Sequence, residues 1–350
     1  MLENLPIELV LCITDYLEKP DAVCLSLCSH RLLGIIGQPC LPEDDRKLKT
    51  AVVTRIAADL PSMFCCLSCA RLHRTAAVSH PNLHMELNNK CPHIGMHNGS
   101  YLDPLWTNIG INYNFRYSHL LAVMKNYYNG HISGLTVESL AYTEVISPLS
   151  RPEFTWLLSV DGRICPTGGK ESTLILQAQN WLLFHGEPNI DKIMSHLRST
   201  YTCFHQALIY SFQDLYMRPT VQGQAFDQIS ACGPKHLYCP FCGIEYRIDF
   251  QDCETDGNAI VITKWLDLGA GLDADDPKWK RITAKVTALF DINGAKRSSG
   301  ELAKLFRNAS HIQDKESDPT DRNMGYLIDK QYRRCMYKYG YMWSSIRRQY

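Results

Sequence analysis

LPIELVLCITDYL, residues 5–17, decides how this chain is read. At helical spacing it is apolar on almost every side. Leu5, Leu9, Ile13 and Leu17 recur at every fourth position, Val10, Leu11, Cys12 and Tyr16 fill the other faces, and only Glu8, Thr14 and Asp15 are plainly polar. A helix at the surface of a domain shows one apolar stripe, so the other faces need a cover. Pro6 suits a first helical turn, where its missing N–H is not needed, and the spacing predicts a helix from Pro6 to Leu17. Lys19-Pro20-Asp21 breaks it, Asp21 caps a second short helix, AVCLSLC, and Ser29 caps a third, HRLLGII, which ends at Gly37. So small a bundle cannot bury two apolar faces by itself. The surplus meets either the rest of the chain or another protein.

The whole chain has 350 residues, which predicts two or three domains at about 150 residues each. It is 45% apolar with six Trp, enough for a sizeable core. A formal net charge of +0 argues against a general nucleic-acid binder, because phosphate affinity rests on an excess of Lys and Arg. No apolar run reaches the roughly 18 residues needed to span a bilayer. The opening MLENLPIELV carries an acidic residue and a proline where a secretion signal carries positive charge. The 15 cysteines are therefore expected in a reducing compartment, cytoplasm or nucleus, as metal ligands or buried thiols rather than disulfides.

Residues 5–33 resemble an F-box. Leu5-Pro6, Glu8-Leu9, Ile13, Leu17, Asp21, Leu25 and the run Leu27-Cys28-Ser29-His30-Arg31 stand at that family's characteristic places, with His30 departing from the basic or small residue often seen. The resemblance implies a three-helix unit that docks onto the adaptor subunit of an SCF-type cullin–RING ubiquitin ligase through Leu5, Pro6, Leu9, Ile13, Leu17 and Leu25. It implies a non-catalytic substrate receptor that holds a protein target for the ligase. Three further stretches, PEDDRKLKTAVVTRIAADLPSMFCCLSCARLH, CPFCGIEYRIDF and ITKWLDLGAGLDADDPKW, resemble a group of fungal F-box proteins with Cys-x-x-Cys motifs in the body.

Beyond the first 40 residues, Leu48, Val52, Ile56 and Leu60 predict a helix over Glu43–Leu60, stopped by Pro61. Residues 135–186 read as a meander of strands, with turns at Asp161-Gly162 and Gly168-Gly169. Residues 190–217 read as helical. IEYRIDF and NAIVITKWLDL form a hairpin around Thr255-Asp256-Gly257, Asp276-Pro277 opens a helix, Ser298 and Glu301 have capping-box spacing ahead of LAKLF, and the last 30 residues read as a final helix. The expected organisation is an F-box over 1–40, a linker helix over 41–61, a Cys/His-rich segment over 62–97 and a recognition body over 98–350. The expected class is α+β: a three-helix F-box, then a mixed α+β body with a β meander and a zinc-ribbon-like knuckle.

The knuckle is CPFCG, residues 239–243. Two cysteines separated by two residues, followed by glycine and then a strand, turn both sulfurs toward one point. Structural zinc takes four S or N donors in a tetrahedron, and the nearest upstream partners are Cys203 and His205, one residue apart on an extended segment. The expected site is one zinc on Cys203, His205, Cys239 and Cys242; the competing reading is four groups packed in a core, where free Cys is often found. A second candidate group is Cys66, Cys69 and His73 with Cys91 or His93, in which Cys65 makes the choice of ligand ambiguous. Cys66 and Cys69 could also pair with Cys239 and Cys242. No phosphate loop, His-Glu-x-x-His or Gly-x-Ser-x-Gly motif occurs. Asp273, Asp275 and Asp276 read as capping, and Arg333, Arg334, Arg347 and Arg348 as an exposed helix face. The rival function is a zinc-stabilised nucleic-acid or regulatory binding protein whose first helices fold onto its own body.

Overall fold

Three short helices, α1 (Ile7–Tyr16), α2 (Lys19–Leu27) and α3 (His30–Ile36), precede the longer α4 (Arg46–Ala58). They belong to a computed structural model that describes residues 4–37, 45–66, 69–81, 101–102, 113, 115–130, 134–146, 154–167, 171–184, 193, 197, 201–203, 205–207, 235–253, 257–273, 276–283 and 300–313. The chain divides into two compact units, Met1–Gly99 with Leu121–Thr136, and Ser100–Leu120 with Val137–Tyr350. The class is α+β, helices first and then antiparallel sheet with helices.

In the first unit, Ser29 Oγ accepts the Leu32 N–H at 3.2 Å to start α3, and Gly37, at φ +89°, stops it. The second helix differs from the sequence expectation. It begins at Lys19 with Glu18 as the extended cap residue, so Lys19-Pro20-Asp21 is its first turn and not a break. Proline is tolerated there because the first-turn N–H groups have no partner within the helix. Asp21 instead pairs with Arg55 of α4 at 2.5 Å, beside Glu18 at 3.1 Å. Asp45 Oδ1 caps α4 by accepting the Leu48 N–H at 2.9 Å. The helix ends at Ala58, short of the expected Leu60. Its end is tied by α5 (Tyr117–Tyr128), whose Lys125 Nζ donates to the carbonyls of Ala57, Leu60 (3.1 Å) and Met63 (2.8 Å). A cation at a helix C-terminus satisfies orphan carbonyls and the dipole together. Strands β1 (Met63–Cys66) and β2 (Arg71–Arg74) then form a hairpin with Phe64 opposite His73.

The second unit is built on a six-stranded antiparallel sheet. After the minor pair β3 (Tyr101–Leu102) and β4 (Phe115–Arg116) come β5 (Tyr142–Ile146), β6 (Phe154–Pro166) and β7 (Ser172–Phe184). The chain then forms the short pair β8 (Tyr201–Cys203) and β9 (Gln206–Ala207), and returns as β10 (Lys235–Tyr238), β11 (Glu245–Asp252) and β12 (Asn258–Asp267). The sheet order is β10-β11-β12-β7-β6-β5. Two meanders are thus zipped together where β7 pairs with β12. β7 is buried on both faces from Thr173 to Phe184. Helices α6 (Pro277–Thr283) and α7 (Glu301–Gln313) follow. One first-turn amide of α7 is capped from the sheet: Glu245 Oε2 accepts the Leu302 N–H at 2.9 Å. Leu302, Ala303 and Phe306 pack on Cys165, Ile175 and Trp265.

Two expectations are corrected here. Asp161-Gly162 is not a turn, because β6 runs straight through it. Glycine serves close approach at this point: a Cβ on Gly162 would lie 3.2 Å from the Leu140 and Leu176 methyls. Residues 190–217 are not one helix either; Ile193 and Leu197 are helical and buried, but Tyr201–Ala207 form the β8–β9 pair. The Gly168-Gly169 turn, Thr255-Asp256, Ser298, Asp275 and the whole C-terminal helix with Arg333, Arg334, Arg347 and Arg348 lie outside the described residues. The expected hairpin of IEYRIDF with NAIVITKWLDL is present as β11–β12.

Asp276 opens α6 as its spacing predicts, with Oδ1 accepting the Lys278 N–H at 2.8 Å. Its Oδ2 accepts the Ala270 N–H at 3.3 Å. Gly269, at φ +85°, sits against that carboxylate so tightly that any Cβ would overlap Asp276 Oδ2. Gly269→Ala is therefore expected to destabilise the chain by about 1–3 kcal/mol, through overpacking and left-handed strain together. Urea melts monitored by tryptophan fluorescence check this through a lowered midpoint.

Candidate functional site: an apolar helical face and a cysteine–histidine cluster

The first helix buries a single residue, Val10. Ile7 (51%), Leu9 (50%), Leu11 (43%), Ile13 (38%) and Leu17 (37%) are exposed, as is Leu27 (53%) at the end of α2. Pro6 is also exposed, while Leu5 and Leu25 are half-buried. The F-box resemblance implies adaptor contact through Leu5, Pro6, Leu9, Ile13, Leu17 and Leu25. Ile7, Leu11 and Leu27, apolar positions outside that set, are exposed as well. Arg31 holds the start of α1 in place by donating to the Leu5 carbonyl at 2.8 Å. The result is an ordered helix with an uncovered apolar surface, a feature of interaction sites.

In the second unit, the knuckle is the turn of the β10–β11 hairpin, with Tyr238 opposite Glu245. The Gly243 N–H donates to the Cys239 carbonyl at 2.8 Å and the Cys239 N–H to the Ile244 carbonyl at 2.9 Å. Gly243 adopts φ +71°, a conformation that costs glycine little. Cys203 ends β8, and His205 lies in the turn before β9 rather than on an extended segment. Together they come to the knuckle, so the ligand atoms of Cys203, His205, Cys239 and Cys242 all lie within 4.8 Å of one another. Cys66 and Cys69, the other partners open to this knuckle, group with His73 within the first unit. The three cysteines are buried. The His205 ring stacks on Phe241 at 5.4 Å, and its Nδ1 is buried with no hydrogen-bond partner among the described residues.

The electrostatics of this cluster follow from crowding three thiols. Hydrogen bonds from Cys203 and Cys242, helped by the backbone N–H groups of Cys242 and Phe241, lower the Cys239 pKa to about 2. Cys203 is pushed up to about 11, first by the Cys239 sulfur and then by burial, against an opposing hydrogen bond with Cys242; Cys242 is pushed well above its ordinary value, first by the sulfurs of Cys203 and Cys239. One thiolate is thus favoured and two more are opposed by the same negative charge. A divalent cation reverses that opposition, since metal binding requires and stabilises the deprotonated thiol. Three sulfurs and one imidazole, with an unpartnered ring nitrogen among them, fit a metal ion.

In the first unit, Cys66, Cys69 and His73 form a second group whose ligand atoms also lie within 4.8 Å. Cys91 and His93 lie outside the described residues. Burial, and then Arg71, lowers the His73 pKa. No described helix is long and apolar enough to cross a membrane. No curated protein and no solved structure matches the chain. Residues 2–44, which include α1, α2 and α3, match the family model described as the F-box domain, and over those residues the chain carries an F-box.

Proposed function

We propose that this chain is a substrate-receptor subunit of an SCF-type cullin–RING ubiquitin ligase. The observation that carries the reading is the exposed apolar surface of α1, on the segment that matches the F-box. Leu5, Pro6, Leu9, Ile13, Leu17 and Leu25 form the adaptor contact, and Ile7, Leu11 and Leu27 extend it. The body presents a protein target and performs no chemistry. It works by proximity, since holding a target beside a ubiquitin-charged conjugating enzyme raises effective concentration. Zinc on Cys203, His205, Cys239 and Cys242 is structural in this reading. Four donors leave no position open to substrate or water, as a catalytic zinc requires. The site of action is cytoplasm or nucleus, where thiols stay reduced. In this reading the knuckle and residues 42–73 are those of fungal F-box proteins with Cys-x-x-Cys motifs in the body.

The test is co-expression of the full chain with the ligase adaptor. A stoichiometric complex that survives size-exclusion chromatography is expected. A chain that is folded yet elutes apart from the adaptor overturns the proposal.

A further inference from the structure

Two backbone features of the β10–β11 knuckle recur in the β1–β2 hairpin. In Cys66-Leu67-Ser68-Cys69-Ala70, the Ala70 N–H donates to the Cys66 carbonyl at 2.8 Å, as the Gly243 N–H does to that of Cys239 at the same distance. Ala70 adopts φ +49° where Gly243 adopts φ +71°. Among the described residues Ala70 is the one non-glycine with positive φ. An L-residue with a Cβ resists this conformation, and such residues persist where their surroundings over-determine them.

The strand also resolves which cysteine faces the cluster. Neighbours on a strand point to opposite faces. Cys65 turns to α4, with its sulfur 3.9 Å from the Thr50 carbonyl. Cys66 shares its face with Phe64, whose register partner is His73 and whose ring lies 5.8 Å from that imidazole. The Cys69 sulfur stands 3.1 Å from His73 Nε2. Cys66 is buried, while Cys69 and His73 are half-buried. Two sulfurs and an imidazole nitrogen on one hairpin are a soft, borderline donor set, suited to zinc rather than to calcium or magnesium.

We propose that the β1–β2 hairpin carries a second zinc site, with Cys66, Cys69 and His73 as its protein ligands. These three supply three corners of a tetrahedron, and a further donor fills the fourth. The site is separate from the adaptor contact and does not depend on the ligase reading.

Elemental analysis of the full chain, purified without a histidine tag and loaded with zinc, tests it. Two zinc ions per chain are expected, falling to one in Cys66→Ser/Cys69→Ser. With cobalt in place of zinc, the same variant loses about two-fifths of the sulfur-to-metal absorption, since two of five ligating sulfurs are gone. Unchanged stoichiometry and unchanged absorption overturn the proposal. If the variant does not fold, the unaltered chain decides. Alkylation of Cys69, read by peptide mass, is expected to be slow in the zinc-loaded protein and at least tenfold faster after chelation. Equal rates, or a Cys66–Cys69 disulfide in the zinc-loaded protein, overturn it.

Discussion

Replacing Leu9 and Ile13 together by Asp abolishes adaptor binding and leaves the chain folded. Both side chains are exposed, at 50% and 38%, and neither belongs to the buried core. Surface changes of this kind usually move stability by less than about 0.5 kcal/mol each. In the complex they would be buried, and each apolar side chain is worth roughly 1.5–3 kcal/mol on full burial. With only 50% and 38% of the two residues left to bury, the pair accounts for up to about 1.3–2.6 kcal/mol, and two carboxylates placed in an apolar interface add a desolvation cost. A loss of at least about 100-fold in affinity is expected, at roughly 1.4 kcal/mol per tenfold. Val10→Asp separates folding from binding. Val10 is 2% exposed, and an unpaired carboxylate there is expected to unfold the helical bundle itself. Calorimetric titration with the adaptor, alongside circular dichroism of each variant, distinguishes the cases. Wild-type affinity in the Leu9/Ile13 variant would refute the F-box contact.

The helical opening was legible because its signals are local. The Ser29 cap and the Gly37 stop are read from one or two residues and appear as read. The start of α2 was misread because proline has two local meanings, break and first turn, and the sequence around Lys19 carries no further signal to choose between them. Gly162 was misread in the same way. A glycine beside Asp looks like a turn, and only the tertiary approach of Leu140 and Leu176 reveals a strand that needs room. The end of the helical stretch near residue 200 was lost because Tyr201–Cys203 is held by its pairing with Gln206–Ala207 and not by any periodic pattern.

The cysteine clusters were half legible. Cys-x-x-Cys spacing identifies a knuckle but not its partners, which depend on chain returns. The return of residues 201–205 to the β10–β11 turn is a property of the sheet, in which β7 pairs with β12 across the intervening excursion. The ambiguity between Cys65 and Cys66 could not be settled without strand register, since a shift of one residue exchanges the faces. The Ala70 conformation had no signal at all, because alanine does not advertise positive φ as glycine does.

Cys239→Ser and Cys242→Ser each cause loss of the folded body while adaptor binding persists. The knuckle is the turn that joins β10 to β11, and β11 lies beside β12 in the six-stranded sheet. A strand's start fixes the register of the hairpin that follows, and a slip of one residue would carry buried Tyr246 and Ile248 to the other face. Zinc binding in small structural sites contributes about 10–16 kcal/mol, comparable to the whole stability of a domain at about 5–15 kcal/mol. With zinc held on the cluster as proposed, loss of one thiolate ligand need remove only part of that to unfold the unit. It also leaves buried sulfurs and the His205 ring nitrogen without the ion that would satisfy them. The F-box lies in the other compact unit, so its docking is expected to continue. Limited proteolysis of the adaptor complex reads both parts at once: cleavage across residues 142–267 in the variants, with residues 5–36 still protected. Chelation of the unaltered protein is expected to reproduce this pattern and to lower its melting temperature. A variant with wild-type protection across the sheet would show that the cluster does not hold the body together.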